Sequence, residues 1–508
     1  MRVNKKGWLI IGLFIFLGII RVVYLRADPW VLLPPTVAGD EGYWVHHARA
    51  KVMGLELAGD QFKEDLIVSP LFLMLQFWVL SIMKISYESI RIVPVGLSLI
   101  GLWLFFRFVY RYNGWKKAVL LTLILGSNPL FVAMNRVGLP DVAAFPLLML
   151  ALWSWEEKRG YWFLTSVVGL ILMKVTNLII LPAFLLLGWV DKVRSKNPRF
   201  VKQVLTRGAI IFCLMLVIAF MFREELIFIY VMSSGPEFIP RGIGWIMQSV
   251  GEVLVNPFWG RLSIFLISLL AIGGLFSKGR TAVIGRALVI GGMILLFPMA
   301  NKGSDHRFWH ILVGMVLLTG GNLKRTLWWG PLFFLASFSF TKNVSVEMFN
   351  LGLGALSPKI VGILAAGITL FLIIFSRKLL WCYLSYVAIG VSVIASLMLT
   401  FRPTWSVLDG SKFFSSAKPR QTISGLFSHQ LAVPTKLYPV YSLMIYGKDY
   451  EVNAGLAREA DIRLIPLVVD RMVVGDLGNT SCLINLYPDF YKGTPRVILK
   501  VEPPSWCK

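Results

Sequence analysis

The chain has 508 residues, of which 56% are hydrophobic and 15% charged, and its mean hydropathy is +0.71. A water-soluble protein does not carry apolar runs of this length and number, so composition leaves a polytopic membrane protein. The net charge of +24 does not call for nucleic acid, because cytoplasmic loops collect Lys and Arg and no basic soluble domain stands apart from the apolar runs.

The N-terminal stretch "MRVNKKGWLIIGLFIFLGII" has the charge order of a signal peptide but no small-residue cleavage site, which predicts a retained first span over 8–25. Apolar segments predict further spans at 92–110, 118–133, 142–155, 161–173, 177–190, 205–222, 262–276, 283–300, 308–322, 327–341, 360–376 and 379–400. The segment "LIVSPLFLMLQFWVLSIM" (66–83) is equally apolar. If it crossed the bilayer, every later basic loop would face outward. With the N-terminus inside and 66–83 lying against the outer leaflet, "RFVYRYNGWKK", "DKVRSKNPRFVK", "SKGRTAVIGR", "NLKRT" and "SRK" all fall inside, as the positive-inside rule requires. The second arrangement is adopted.

It gives an all-α polytopic fold of about 13 transmembrane helices. A first outer loop (26–91) carries juxtamembrane helices, and a second outer loop spans 223–261. The tail, 401–508, has short β-branched runs broken by Gly, Pro and Asp. It predicts a small extracytoplasmic α/β domain of roughly 100 residues. Cys213 and Cys382 fall in apolar spans, whereas Cys482 and Cys507 share the outer tail, where a disulfide is chemically allowed. The cysteines have no metal-binding spacing.

This topology sends a set of polar residues to the outer face. In "VAGDEGYWVHHARAKVMG" (37–54), Asp40 is placed to cap a helix over 41–53 and Glu41 sits in its first turn; both complement a helix N-terminus. Glu41, Trp44, Val45, Ala48 and Val52 recur at helical spacing, which suits a helix lying on the membrane surface. In "MNRVGLPDVAAFPLLML", Asp141 follows Pro140 at the start of a span, with Arg136 just before it. Lys174 lies in a run of roughly 30 apolar residues, about 45 Å long as one helix, and would cost about 2.5–3.5 kcal/mol at the bilayer centre. Two short helices meeting at "KVTN" would bring its ammonium toward the outer surface. In "DHRFWHILVG", Asp305, His306 and Arg307 stand at the mouth of another span. Helix capping, snorkelling and interfacial anchoring account for each site taken alone. Taken together at one face, they suit a reaction in which cations hold a lipid phosphate and a carboxylate takes a proton from an acceptor hydroxyl. A lipid or solute transporter is the competing reading, but transporters usually show related halves, and no internal repeat is evident.

At these residues the sequence resembles the polytopic C-type glycosyltransferases, in the branch of protein O-mannosyltransferases and lipid A aminoarabinose transferases. "GDEGYWVHHARAKVMG" is similar to their acidic first-loop motif and "NRVGLPDVAAFPLLMLALW" to their second acidic motif. "LILMKVTNLIILP" is similar to their lysine-bearing segment and "DHRFWHILVGMVLLTGG" to a later Arg-aromatic segment. Motif order and spacing agree over residues 1–320. The resemblance implies a membrane enzyme that moves a hexosyl or mannosyl-like sugar from a polyprenyl- or dolichyl-phosphate donor to a protein, glycan or lipid acceptor at the extracytoplasmic face. It implies Asp40 as the catalytic base, Glu41 and Asp141 as orienting carboxylates, and Lys174 and Arg307, with His306 and Arg136 beside them, as the phosphate-binding set. A divalent metal ion is left open as a cofactor, with Asp40 and Glu41 as its carboxylates. "WWG" at 328–330 is not the longer tryptophan-aspartate motif of oligosaccharyltransferases, which argues against that sister activity.

Overall fold

The computed structural model describes residues 5–23, 25, 44–45, 48, 51–52, 68–83, 87–194, 206, 264, 267–268, 270–271, 274–299 and 308–320, scattered positions between 386 and 397, and strands within 431–501. Asp40, Glu41, His306, Arg307, the loop 223–261 and all four cysteines lie outside them. The chain forms two compact units. The first comprises Met1–Val23, Val95–Asn135 and Asp141–Arg402; the second comprises Tyr24–Pro94, Arg136–Pro140 and Pro403–Lys508.

In the first unit, α1 (Lys5–Val22) is apolar apart from its ends. In the second, α2 (Pro70–Ile82) carries proline at its start. Next in the chain, α3 (Tyr87–Gly126) is interrupted at Gly114, whose φ of 78° and ψ of 169° are not helical. A β-carbon added at Gly126 would stand 3.4 Å from the Leu102 side chain, whereas a straight helix would hold those residues about 36 Å apart. The element is therefore two antiparallel arms folded back at Gly114, a position whose positive φ glycine alone adopts without cost. This fold-back falls within the turn expected between the spans 92–110 and 118–133.

Against the first arm, α1 lies antiparallel. Lys6 Nζ sits 5.8 Å from the Trp115 ring centre near the turn, and Phe14 packs 5.3 Å from Trp103 and 6.1 Å from Phe106. At the other end, Arg21 donates through Nε to Ser98 Oγ (3.1 Å) and through Nη1 to the Leu17 carbonyl (2.9 Å). An arginine near the end of an apolar helix is costly unless its charge finds acceptors. The structure buries it completely among these acceptors.

The expected span 118–133 is not one continuous helix. Helical residues stop at Gly126, and α4 (Pro129–Asn135) begins anew. Asn128 Oδ1 accepts from the Phe131 N–H (3.1 Å) and so caps the new start. The chain then turns through an elbow, bent by 94°, between Pro129–Asn135 and Pro140–Glu156. The second limb holds α5 (Pro140–Ala143) and α6 (Phe145–Glu156). Beyond it come α7 (Gly160–Met173), a 3-10 turn (Val175–Ile180), α8 (Leu181–Arg194), α9 (Arg280–Met299) and α10 (Trp309–Thr319).

Neighbouring pairs α6–α7, α8–α9 and α9–α10 pack side by side. The last pair approaches closely through small residues: a β-carbon on Gly285 would lie 2.7 Å from the Gly314 oxygen, and one on Gly314 would lie 2.9 Å from the Gly285 oxygen. Such contacts let apolar helices gain dispersion energy where a lipid environment supplies no hydrophobic drive. By length and hydropathy, Glu88–Gly126 is the one described helix able to cross a bilayer, and the bent pair is a second if counted as one broken span. The fold at Gly114 divides the first into arms of roughly 40 Å and roughly 18 Å. Trp8, Ile15, Ile100, Leu185 and Ile294 are large apolar side chains exposed on the helices' outer faces.

In the second unit, Trp44, Val45, Ala48, Lys51 and Val52 are helical, as expected within 41–53. Lys51 Nζ lies 4.9 Å from the Phe77 ring of α2, and Gln76 of α2 donates to the Ile90 carbonyl (3.0 Å). The strands β1 (Leu431–Val433), β2 (Val452–Ala454), β3 (Ile462–Leu467), β4 (Leu483–Asn485) and β5 (Arg496–Val501) form one sheet ordered β2-β1-β3-β5-β4. β1 runs parallel to β2 and β3, and β5 runs antiparallel to β3 and β4.

Candidate functional site

The polar residues of the first unit gather at the two ends of the same helices. α6 runs from one end to the other, α7 returns, and α8 runs back again. Asp141 and Lys174 therefore share one end while Glu156 and Asp191 share the opposite one, about 18 Å away along α6.

At the first end, the helix breaks at Lys174. Its backbone is extended (φ −161°, ψ 128°) between α7 and the 3-10 turn. The carbonyl of Leu170, at the end of the ladder, accepts from Lys174 N (3.3 Å) and from the Asn177 side-chain amide (3.1 Å). Asn177 thus adds a second donor to that carbonyl and ties the 3-10 turn back to the end of α7. The break lets Lys174 Nζ reach Asp141 Oδ2 at 2.6 Å. Both residues are buried, at 5% and 2% exposure. Sequence analysis gives these residues separate roles; the structure makes them a pair. A short bond between two ions is roughly twice as strong as a neutral one, and here it also compensates the desolvation of each partner.

An aromatic layer lies beneath the pair. Phe145, one turn beyond Asp141, meets Phe131 edge-on at 5.3 Å and Trp309 at 6.2 Å. Next to Trp309, the fully buried His310 ring lies against α9, where a β-carbon on Gly292 would strike it. These rings are buried, and a low local dielectric around them strengthens charge interactions nearby. Arg136 is also buried, but it belongs to the second unit.

Asn135 was not singled out from sequence. It closes α4 at the elbow with 0% exposure, and neither its amide nitrogen nor its oxygen has a hydrogen-bond partner among the described residues.

The opposite end carries a second network that sequence analysis missed. Arg280, the first residue of α9, donates through Nε to both Glu156 oxygens (2.9 Å each). Its Nη1 donates to Asp191 Oδ1 (2.6 Å), and its Nη2 donates to Glu156 Oε1 (2.5 Å) and Asp191 Oδ2 (2.8 Å). Trp155 Nε1 donates to Asp191 Oδ2 (2.8 Å), and the Tyr112 hydroxyl donates to Glu156 Oε2 (2.7 Å). Burial, with Glu156 accepting its proton, pushes the Tyr112 phenol above its ordinary pKa. Burial works against the Arg280 charge, yet the Asp191 and Glu156 carboxylates outweigh it and raise its pKa. Thr281 reaches Asn113 (3.2 Å) and Lys117 reaches the Gly320 carbonyl (3.1 Å). Loops that sequence parity assigns to the inner side are thereby tied together at one end. The signal available in sequence was Glu156, Glu157 and Asp191, acids standing among otherwise basic loops.

This network predicts a large effect of Arg280→Gln. The variant would remove the guanidinium that bonds both Glu156, with 7% of its side chain exposed, and Asp191. Removing one partner of a buried ion pair costs about 3–5 kcal/mol, and the 26% exposure of the Arg280 side chain places the loss at the lower limit. Arg280→Lys restores only part of it, because an ammonium cannot match two carboxylates as a planar fork does. Denaturation midpoints in detergent should rank wild type, Lys, then Gln; a Gln variant as stable as wild type would remove the latch role.

Neither a protein-family model nor a curated protein matches the sequence. Among solved structures, the chain is similar to the crystal structure of ArnT from Cupriavidus metallidurans bound to undecaprenyl phosphate. The TM-score is 0.55 at 11% identity, with 99% of each chain covered. The chain thus shares the helical, polytopic fold of that protein.

Proposed function

We propose that this protein is an integral membrane glycosyltransferase that moves a sugar from a polyprenyl-phosphate donor to an acceptor hydroxyl at the extracytoplasmic face. The observation that carries the proposal is the full-length likeness of fold to a protein crystallised with undecaprenyl phosphate. A buried cation–carboxylate pair above an aromatic layer supports it. So do outward-facing apolar side chains and the exposed aromatics Trp8, Tyr161, Trp162 and Trp189 near the latch end, as at a membrane interface.

In this reading Asp40 takes the proton of the acceptor hydroxyl as its oxygen attacks the anomeric carbon. The bond from that carbon to the phosphate oxygen breaks, and polyprenyl phosphate leaves with its electron pair. Phosphate is a good leaving group, so cations rather than a strong acid serve it. Lys174, oriented by Asp141, and Arg307 supply them, with His306 and Arg136 as further members of the phosphate-binding set and Glu41 orienting the acceptor. Residues 1–400 form the transmembrane transferase domain and 401–508 the outer domain. The acceptor is a protein, glycan or lipid.

The test is reconstitution in proteoliposomes with labelled polyprenyl-phosphate sugar. Label should leave the lipid only when an acceptor is supplied. Intact sugar-lipid crossing the bilayer without cleavage would favour the transporter reading. Sidedness has its own test. Cysteines at Asp60 and Tyr450 should react with an impermeant reagent outside intact cells, and one at Asn197 should not. Labelling of 197 but not 450 inverts the topology.

A further inference from the structure

We propose that Asn135 binds hydroxyl groups of the donor's sugar, an inference that rests on the glycosyltransferase reading. The observation is its isolation. Asn135 is 0% exposed, and both its Oδ1 and its Nδ2 lack a hydrogen-bond partner among the described residues. Burying an amide in this way is costly, and most buried polar side-chain atoms in folded proteins are bonded. A leucine of similar volume would stabilise the same position by packing. Asn128, seven residues earlier, has an orphaned Nδ2 among the described residues, but its oxygen does structural work by capping the Phe131 N–H at 3.1 Å. Asn135 has no such task.

Its place in the fold says which ligand. Phe131, one turn before Asn135, touches Phe145, one turn after Asp141. The contact closes the elbow, so Asn135 and Asp141 stand on its two limbs, and Asp141 holds Lys174. Every residue from 129 to 146 is buried. A phosphate in this region calls for cations, which Lys174 provides. A neutral amide offers one acceptor and two donors side by side, the pattern that pairs with vicinal hydroxyls, each both donor and acceptor. The amide therefore recognises the sugar and leaves the phosphate to the cation.

Thermal-shift titrations of purified full-length protein separate these roles. The probes are decaprenyl phosphate alone and decaprenyl phosphate bearing mannose, glucose, galactose or arabinose. Wild type should be stabilised by decaprenyl phosphate and further by one of its sugar esters. Asn135→Leu should unfold without ligand at the wild-type temperature or higher and keep the decaprenyl phosphate response. It should lose the sugar increment and raise KM for the donor about 10- to 100-fold, as expected for two lost hydrogen bonds. Asn135→Ala should behave alike and serves if the leucine variant does not fold. Retention of the sugar increment by either variant overturns the inference while leaving the transferase reading intact. So does a ligand-free protein much less stable than wild type, which marks a structural amide. Absence of any wild-type response to decaprenyl phosphate overturns the transferase reading, and this inference with it.

Discussion

Replacing Lys174 by methionine will lower the stability of the protein by about 3–5 kcal/mol, because it removes the ammonium bonded to the buried Asp141 carboxylate. Asp141→Leu alone should cost a similar amount by removing the carboxylate bonded to the buried ammonium. The double variant, Asp141→Leu with Lys174→Met, should regain most of the loss, since a buried ion pair replaced by apolar residues of similar volume is often neutral in stability. SDS titration in mixed micelles measures the three unfolding free energies, and the cycle isolates the coupling between the residues. Transfer activity then separates structure from chemistry. If the pair exists to hold a phosphate, the stable double variant will be inactive. Near-normal transfer by that variant makes the pair a structural rivet joining α7 to the elbow.

That pair shows where sequence stops being sufficient. A lysine inside an apolar run predicts a break, and parity of basic loops puts Lys174 and Asp141 at one face. The bond between them needs the packing of α6 against α7, which sets residues 33 positions apart side by side. No local pattern encodes that register. The fold-back at Gly114 was legible, because "RYNGWKK" breaks an apolar run with charge and glycine. The break before α4 was not read from an otherwise apolar stretch, although "GSNP" carried a signal: Asn128 as cap and Pro129 just inside the new helix. The Arg280 network escaped for another reason. Loop polarity reports which side a residue faces and says nothing about its partners. Asn135 carries no sequence signal at all, since its isolation depends on what surrounds it.

Asp40→Asn is expected to abolish most transfer while leaving the protein folded. Asn caps a helix about as well as Asp, so the helix that includes Trp44, Val45 and Ala48 should form unchanged. Its packing beside α2, marked by Lys51 over Phe77, should persist. The amide cannot accept the acceptor's proton, and loss of a general base commonly slows a reaction about 10²–10⁴-fold. A capping defect, worth about 1 kcal/mol, would change the rate far less. Two further readouts distinguish base from cap. Donor KM should stay near wild type in Asp40→Asn, because the phosphate contacts are intact, whereas Lys174→Met should raise KM and lower kcat together. Asp40→Ser, also a competent cap, should be as slow as the asparagine variant. Folded Asp40→Asn protein that transfers sugar at near-normal rate returns Asp40 to the role of helix cap and makes Glu41 the better candidate for the base.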